Sequence, residues 1–234
     1  MTPLGILILD TAFPRIKGDL GCAETFGFPV RYATVTGATV DEVVHRHNRA
    51  LLPAFVAAGR RLADEGCVGV TTTCGFLARW QRELARDLPV PVLTSALLQV
   101  PLVQRTLPEG RRAGIVTYSA AALDPETLAA VGVDPYTPIE GIAPGSYFAR
   151  VIRDGVATLD TQRMAEDTVA AARRLVATHR DVGAIVLECA NMPPYVAAVK
   201  AAVEIPVYDA AHLVGWFYAG LAGTAVRHGA RELW

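Results

Sequence analysis

Two cysteines of this chain sit in matching local contexts. Val68-Gly69-Val70-Thr71-Thr72-Thr73-Cys74-Gly75-Phe76 is an apolar, β-branched run that ends in a small polar turn before a helical pattern. Val182-Gly183-Ala184-Ile185-Val186-Leu187-Glu188-Cys189-Ala190-Asn191-Met192-Pro193-Pro194 has the same form. Ligands of parallel sheets collect outside the carboxyl ends of the strands, where both thiols are expected. Helices starting near Phe76 and Met192 would aim free N–H groups at that place, lowering a thiol pKa and attracting a carboxylate. Thr72, Thr73 and Asn191 add neutral hydrogen bonds to such an anion. Two thiols on opposite walls of a cleft can invert a stereocentre: one thiolate removes a proton from carbon, and the other thiol delivers one to the opposite face. A single buried Cys is often only a small hydrophobe, so the repeated context is what points to chemistry.

Short β-branched runs alternate with helical patterns along the whole chain, which predicts an α/β fold with parallel sheets. Strands are expected at Gly5–Asp10, Val30–Val35, Val68–Thr73, Val90–Thr94, Ala113–Thr117, Thr137–Gly141, Ala184–Glu188 and Val207–Asp209. Several are continuously apolar, as strands covered on both faces must be. Helices are expected at Leu51–Glu65, Leu77–Asp87, Ala96–Thr106, Ala120–Ala130, Thr161–Thr178, Tyr195–Val203 and Ala210–Arg227. From Gly5 the order is strand, long loop, strand, helix, strand ending in Cys, helix; from Ala113 it is strand, helix, strand, helix, strand ending in Cys, helix, similar enough to suggest two related halves. The turn chemistry of Leu107-Pro108-Glu109-Gly110 divides them. The first domain is expected to comprise 1–106 together with a returning last helix at 210–234, and the second 107–209.

Thr71-Thr72-Thr73-Cys74-Gly75-Phe76-Leu77 and Leu187-Glu188-Cys189-Ala190-Asn191-Met192-Pro193-Pro194 resemble the two cysteine signatures of the aspartate/glutamate/hydantoin racemase superfamily. The resemblance spans essentially the whole chain. It implies two similar flavodoxin-like domains facing each other across a cleft, and a cofactor-independent two-base mechanism. It also implies an acid/base pair at Cys74 and Cys189, with substrate-binding positions at Thr73, Gly75 and Asn191. Thr117-Tyr118-Ser119 resembles the carboxylate-binding turn of the second domain, which places Thr117 and Ser119 beside the substrate. After the first strand the chain departs from the glycine-rich turns of glutamate and aspartate racemases, so the resemblance does not carry either substrate over. Related branches include arylmalonate decarboxylases, which have only the second Cys, and maleate isomerases, in which a Cys adds to a double bond.

The departing segment, Thr11 to Pro29, is long for a connection in an α/β domain, and long loops are commonly functional. Arg15 and Lys17 are suited to hold a carboxylate there; an ordinary surface loop is the competing reading. Asp10 is placed to contact a substrate amine or to orient the loop, and serves equally as a turn residue. Glu188 should alternate away from Cys189 on its strand; pointing inward, it would oppose thiolate formation. Trp216, Phe217, Tyr218 and Trp234 read as core or subunit contacts. A net charge of −1 gives no field to attract nucleic acid, and no apolar run reaches the ~18 residues of a membrane span. The sequence thus predicts a cytoplasmic, cofactor-independent racemase or epimerase, without a metal and homo-oligomeric, acting on a small carboxylate of amino-acid or hydantoin type. Isomerisation of an unsaturated dicarboxylate through a Cys adduct and non-catalytic sensing of a small carboxylate remain open.

Overall fold

The computed structural model describes residues 1–227, and Trp234 lies outside them. Among the described residues eight strands form two four-stranded sheets, every pair parallel. The first contains β1 (Leu4–Leu9), β2 (Val30–Val35), β3 (Val70–Thr72) and β4 (Val92–Leu93) in the order β2-β1-β3-β4. The second contains β5 (Arg112–Thr117), β6 (Ile139–Gly141), β7 (Val182–Leu187) and β8 (Val207–Tyr208) in the equivalent order β6-β5-β7-β8. β1 and β7 lie inside their sheets and are covered on both faces, which is why Leu-Gly-Ile-Leu-Ile-Leu and Val-Gly-Ala-Ile-Val-Leu show no polar alternation. The two cysteine-bearing strand ends therefore occupy the same position in the two sheets.

The helices are α1 (Leu52–Asp64), α2 (Gln81–Asp87), α3 (Val100–Thr106), α4 (Pro125–Ala130), α5 (Tyr147–Asp154), α6 (Thr161–Thr178), α7 (Val196–Val203) and α8 (Ala210–Arg227). Three expected helices open instead with a 3-10 segment, at Gly75–Trp80, Ala96–Gln99 and Ala120–Ala122. Proline explains two of them. Pro101 and Pro125 are accommodated only in the first turn of an α-helix, so α3 and α4 must begin there. α5 is absent from the expected elements. Its signals are an N-cap at Ser146, which accepts from the Ala149 N–H (3.2 Å), and a stop at Gly155 with φ of 73°. Phe148, Val151 and Ile152 form its buried stripe.

α8 returns to the first sheet. The Tyr218 hydroxyl donates to the Thr2 carbonyl (2.9 Å), and its ring stacks on Phe28 with centroids 3.7 Å apart. Phe217 and Leu221 cover Gly69 so closely that a Cβ there would meet Leu221 Cδ1 at 2.5 Å. Trp216, by contrast, is exposed. Among the described residues no helix is long and apolar enough to cross a membrane.

Candidate active site between the two sheets

Cys74 stands two residues beyond the end of β3, and its backbone is fixed by the preceding threonines. The Thr72 hydroxyl bonds the Thr94 carbonyl (2.7 Å) and accepts the Cys74 N–H (3.2 Å), while Thr71 ties to Leu93 (2.8 Å). The run of threonines thus locks β3 to β4 and leaves the thiol at the strand tip. Thr73 is buried there, with a hydroxyl that has no partner among the described residues. Backbone N–H groups of Phe76 and Leu77 point at the Cys74 sulfur.

Cys189 stands two residues beyond the end of β7. Its thiol donates to Asn191 Oδ1 (3.5 Å), and the Asn191 N–H faces its sulfur. Asn191 Nδ2 in turn donates to Asp19 Oδ2 (2.5 Å). Asp19 also receives the Arg15 guanidinium (3.2 Å) and the Gly21 N–H (2.6 Å). The long loop after β1 is therefore built onto the turn that carries Cys189. Its Gly18, with φ of 103°, passes so close that a Cβ would meet Pro194 Cα at 2.8 Å. The Leu20 N–H donates to the Ala190 carbonyl (3.3 Å).

Both thiols open on one narrow cavity of about 30 Å³, room for one or two water molecules. Thr73, Gly75, Asn191 and Arg15 line it with them. The other expected site residues lie elsewhere. Asp10 is exposed and accepts the Gly37 N–H (3.0 Å), a turn role. Thr117 is fully buried one layer behind the cavity, and Ser119 opens on a separate surface depression beside His45 and Arg153. From that turn it is Tyr118 that reaches the cavity. Phe13, Val40, Val44 and Ile152 complete its apolar wall. Ile152 went unrecognised with its helix, although the Ser146-to-Gly155 frame was there to be read.

Glu188 reverses the expectation made for it. β7 ends at Leu187, so strand alternation no longer governs the next residue, and the carboxyl turns into the cavity wall. Its Oε2 accepts from Thr117 Oγ1 (2.8 Å), and the Tyr118 N–H also bonds the carboxylate. Burial raises its pKa to about 7 against these bonds. The thiols are not acidified as the helix-end argument expected. Burial, followed by the Glu188 charge, pushes Cys74 up to about 12 despite the Phe76 and Leu77 N–H groups. The same two causes, in the same order, hold Cys189 well above the ordinary thiol value, and Cys74 and Asp19 add to them. The helix-end contribution is present but smaller than desolvation.

No protein-family profile matches the chain. Among curated relatives, a dimethylsulfoniopropionate lyase of Durusdinium sp. clade D is 27% identical over 234 residues, covering 93% of this chain and 74% of that protein. Dimethylsulfoniopropionate lyase 7 of Emiliania huxleyi is 30% identical over 243 residues, covering 93% of this chain and 67% of that one. Against the related lyase 3 of the same organism the chain spans 56% of the longer protein. Solved structures with the same fold include unliganded arylmalonate decarboxylase, with a TM-score of 0.60 at 18% identity over 95% of this chain and 93% of that one. Glutamate racemase from Thermus thermophilus gives 0.58 at 19% over 95% and 81%, and Picrophilus torridus aspartate racemase 0.53 at 16% over 100% and 96%.

Proposed function

The chain belongs to the aspartate/glutamate racemase superfamily and, within it, to the same family as the dimethylsulfoniopropionate lyases of Emiliania huxleyi, and from that membership we propose that it is a lyase that eliminates a leaving group β to a carboxylate. Dimethylsulfoniopropionate, the compound named for its relatives, is the substrate to test first. Family membership carries the choice of elimination, and the buried cavity on which Cys74 and Cys189 meet supplies the proton-abstracting group it needs.

Elimination and racemisation share their first step, removal of the proton from the carbon next to a carboxylate. With a sulfonium on the adjacent carbon, the freed electron pair forms a C=C bond and expels neutral dimethyl sulfide. Acrylate remains, and the proton stays on the base. Cys74 is the better base. Two backbone N–H groups face its sulfur, whereas Cys189 holds its proton against Asn191 Oδ1 and faces more negative charge. The unpartnered Thr73 hydroxyl and the Arg15 guanidinium are placed to receive the carboxylate. Phe76 and Tyr118 line the cavity and supply aromatic surface for a sulfonium, while the Arg15 guanidinium already covers the Phe13 ring at 4.2 Å.

The test is release of dimethyl sulfide from dimethylsulfoniopropionate, measured in the headspace. Cys74→Ser is expected to lower kcat/KM by about 100-fold or more, the scale of a lost acid/base group. Wild-type protein that releases no dimethyl sulfide would overturn the reading. Inversion of a carbon beside a carboxylate is the second reading, favoured by the pairing of two thiols on one cavity. It requires both thiols equally and places solvent deuterium on the inverted carbon of the product in heavy water. Elimination through Cys74 leaves Cys189→Ser the more active of the two variants.

A further inference from the structure

A thiol at the pKa of Cys74 needs somewhere to send its proton before it can act as a base, and the neighbouring groups narrow the choice. Glu188 is 1% exposed, yet its Oε1 has no hydrogen-bond partner among the described residues. A buried carboxyl kept only for structure would have both oxygens satisfied. The second oxygen is satisfied, by Thr117. Oε1 instead packs against Gly75, the residue after Cys74, where a Cβ would lie 1.9 Å from it. Only glycine at 75 admits this carboxyl, which lines the same cavity as both thiols and acts on each electrostatically.

We propose that Glu188 is the proton acceptor for the Cys74 thiol, so that the base is a Cys74–Glu188 pair. The S–H bond of Cys74 breaks, its proton passes through one water in the shared cavity, an O–H bond forms at Glu188 Oε1, and the electron pair stays on sulfur. After the thiolate has taken the substrate's α-proton, both groups are protonated. Glu188 then loses its proton to water, which balances the proton released when a zwitterionic sulfonio-carboxylate becomes a neutral sulfide and an acrylate anion. The groups around Glu188 are Thr117 and Tyr118 from the β5 end, which bond its carboxyl, and Cys74 from the β3 end, Cys189 from its own turn and Arg15 from the long loop, which line the same cavity. With a carboxyl pKa raised to about 7, the acceptor becomes available near neutral pH. The single negative charge then rests on Glu188 and reaches the Cys74 sulfur only when the proton moves.

This inference rests on thiol-based proton abstraction, and its test does not need the substrate. Alkylation of Cys74 by iodoacetamide is followed by mass spectrometry from pH 5.5 to 9.5 in wild-type protein, Glu188→Gln and Glu188→Asp. In wild type the rate is expected to rise to a plateau with a midpoint near 7. Glu188→Gln should lack that midpoint and rise about tenfold per pH unit, while Glu188→Asp keeps one. In parallel, kcat/KM for dimethyl sulfide release at pH 7 should fall about 100-fold in Glu188→Gln with KM within threefold. A wild-type midpoint retained in Glu188→Gln, or an unchanged kcat/KM, overturns the role of Glu188. The labelling result without any dimethyl sulfide release supports Glu188 and sinks the lyase reading instead.

Discussion

Glu188 sits where two demands conflict. Its burial favours the neutral acid, and its ionisation places a charge beside two buried thiols. The folded-state pKa is raised from 4.5 to about 7, so this group stabilises the fold fully below pH 4.5 and loses that contribution as pH rises through 7. The full swing is about 3 kcal/mol. Replacing Glu188 by Gln keeps the Thr117 bond and removes the ionisation. Thermal unfolding should therefore show Glu188→Gln gaining stability over wild type at pH 8 and little at pH 4.5. An equal shift at both pH values would mean that the carboxyl is not titrating in this window.

At the scale of elements, the loop between β1 and β2 is the unusual piece. It leaves the first sheet and fastens to the turn after β7 through Asp19–Asn191, Leu20–Ala190 and the close pass of Gly18 over Pro194. Because Asn191 also accepts the Cys189 thiol, the loop's seating sets the orientation of that side-chain amide. Gly18 has φ of 103° and no room for a Cβ, so Gly18→Ala meets both backbone strain and a clash. We expect it to cost about 1–3 kcal/mol in denaturant unfolding. The reactivity of Cys189 toward iodoacetamide should rise as the loop lifts. Unchanged Cys189 reactivity would show that the loop does not close the cavity.

At the scale of the molecule, the two sheets meet over their strand ends, and the 3-10 segment after Cys74 packs heavily on α4 of the other half. Arg79 from that segment pairs with Asp124 and Glu126 across the junction. Its side chain is only 13% exposed, so truncating it strands two carboxylates beside a partly buried surface. The partial exposure of Asp124 and the greater exposure of Glu126 reduce the effect below that of a buried pair. Arg79→Met is expected to lower stability by about 1–3 kcal/mol. It should also broaden or split the single thermal transition, as the halves uncouple. A sharp, unshifted transition in calorimetry would show that the contact is incidental.

Local pattern was enough for the positions of all eight strands, the parallel α/β class and the placing of two cysteines at strand ends, because apolar runs and turn residues act over a few positions of chain. It also carried Thr73, Gly75 and Asn191, which ride on the same turns as the thiols. Reasoning by parity failed at Glu188 because the strand stops at Leu187, an event set by the sheet and not by the residue. Asp10 and Ser119 sit on the right strand ends but face away, and nothing in the spacing distinguishes them from their neighbours. What only the tertiary structure decided is which distant groups meet at and around one buried space: Thr117 behind Glu188, Asp19 on Asn191, and Ile152 in the wall with the thiols. Burial in that shared space outweighs the helix ends that the sequence offered, so the pKa of each thiol is a property of the closed cleft.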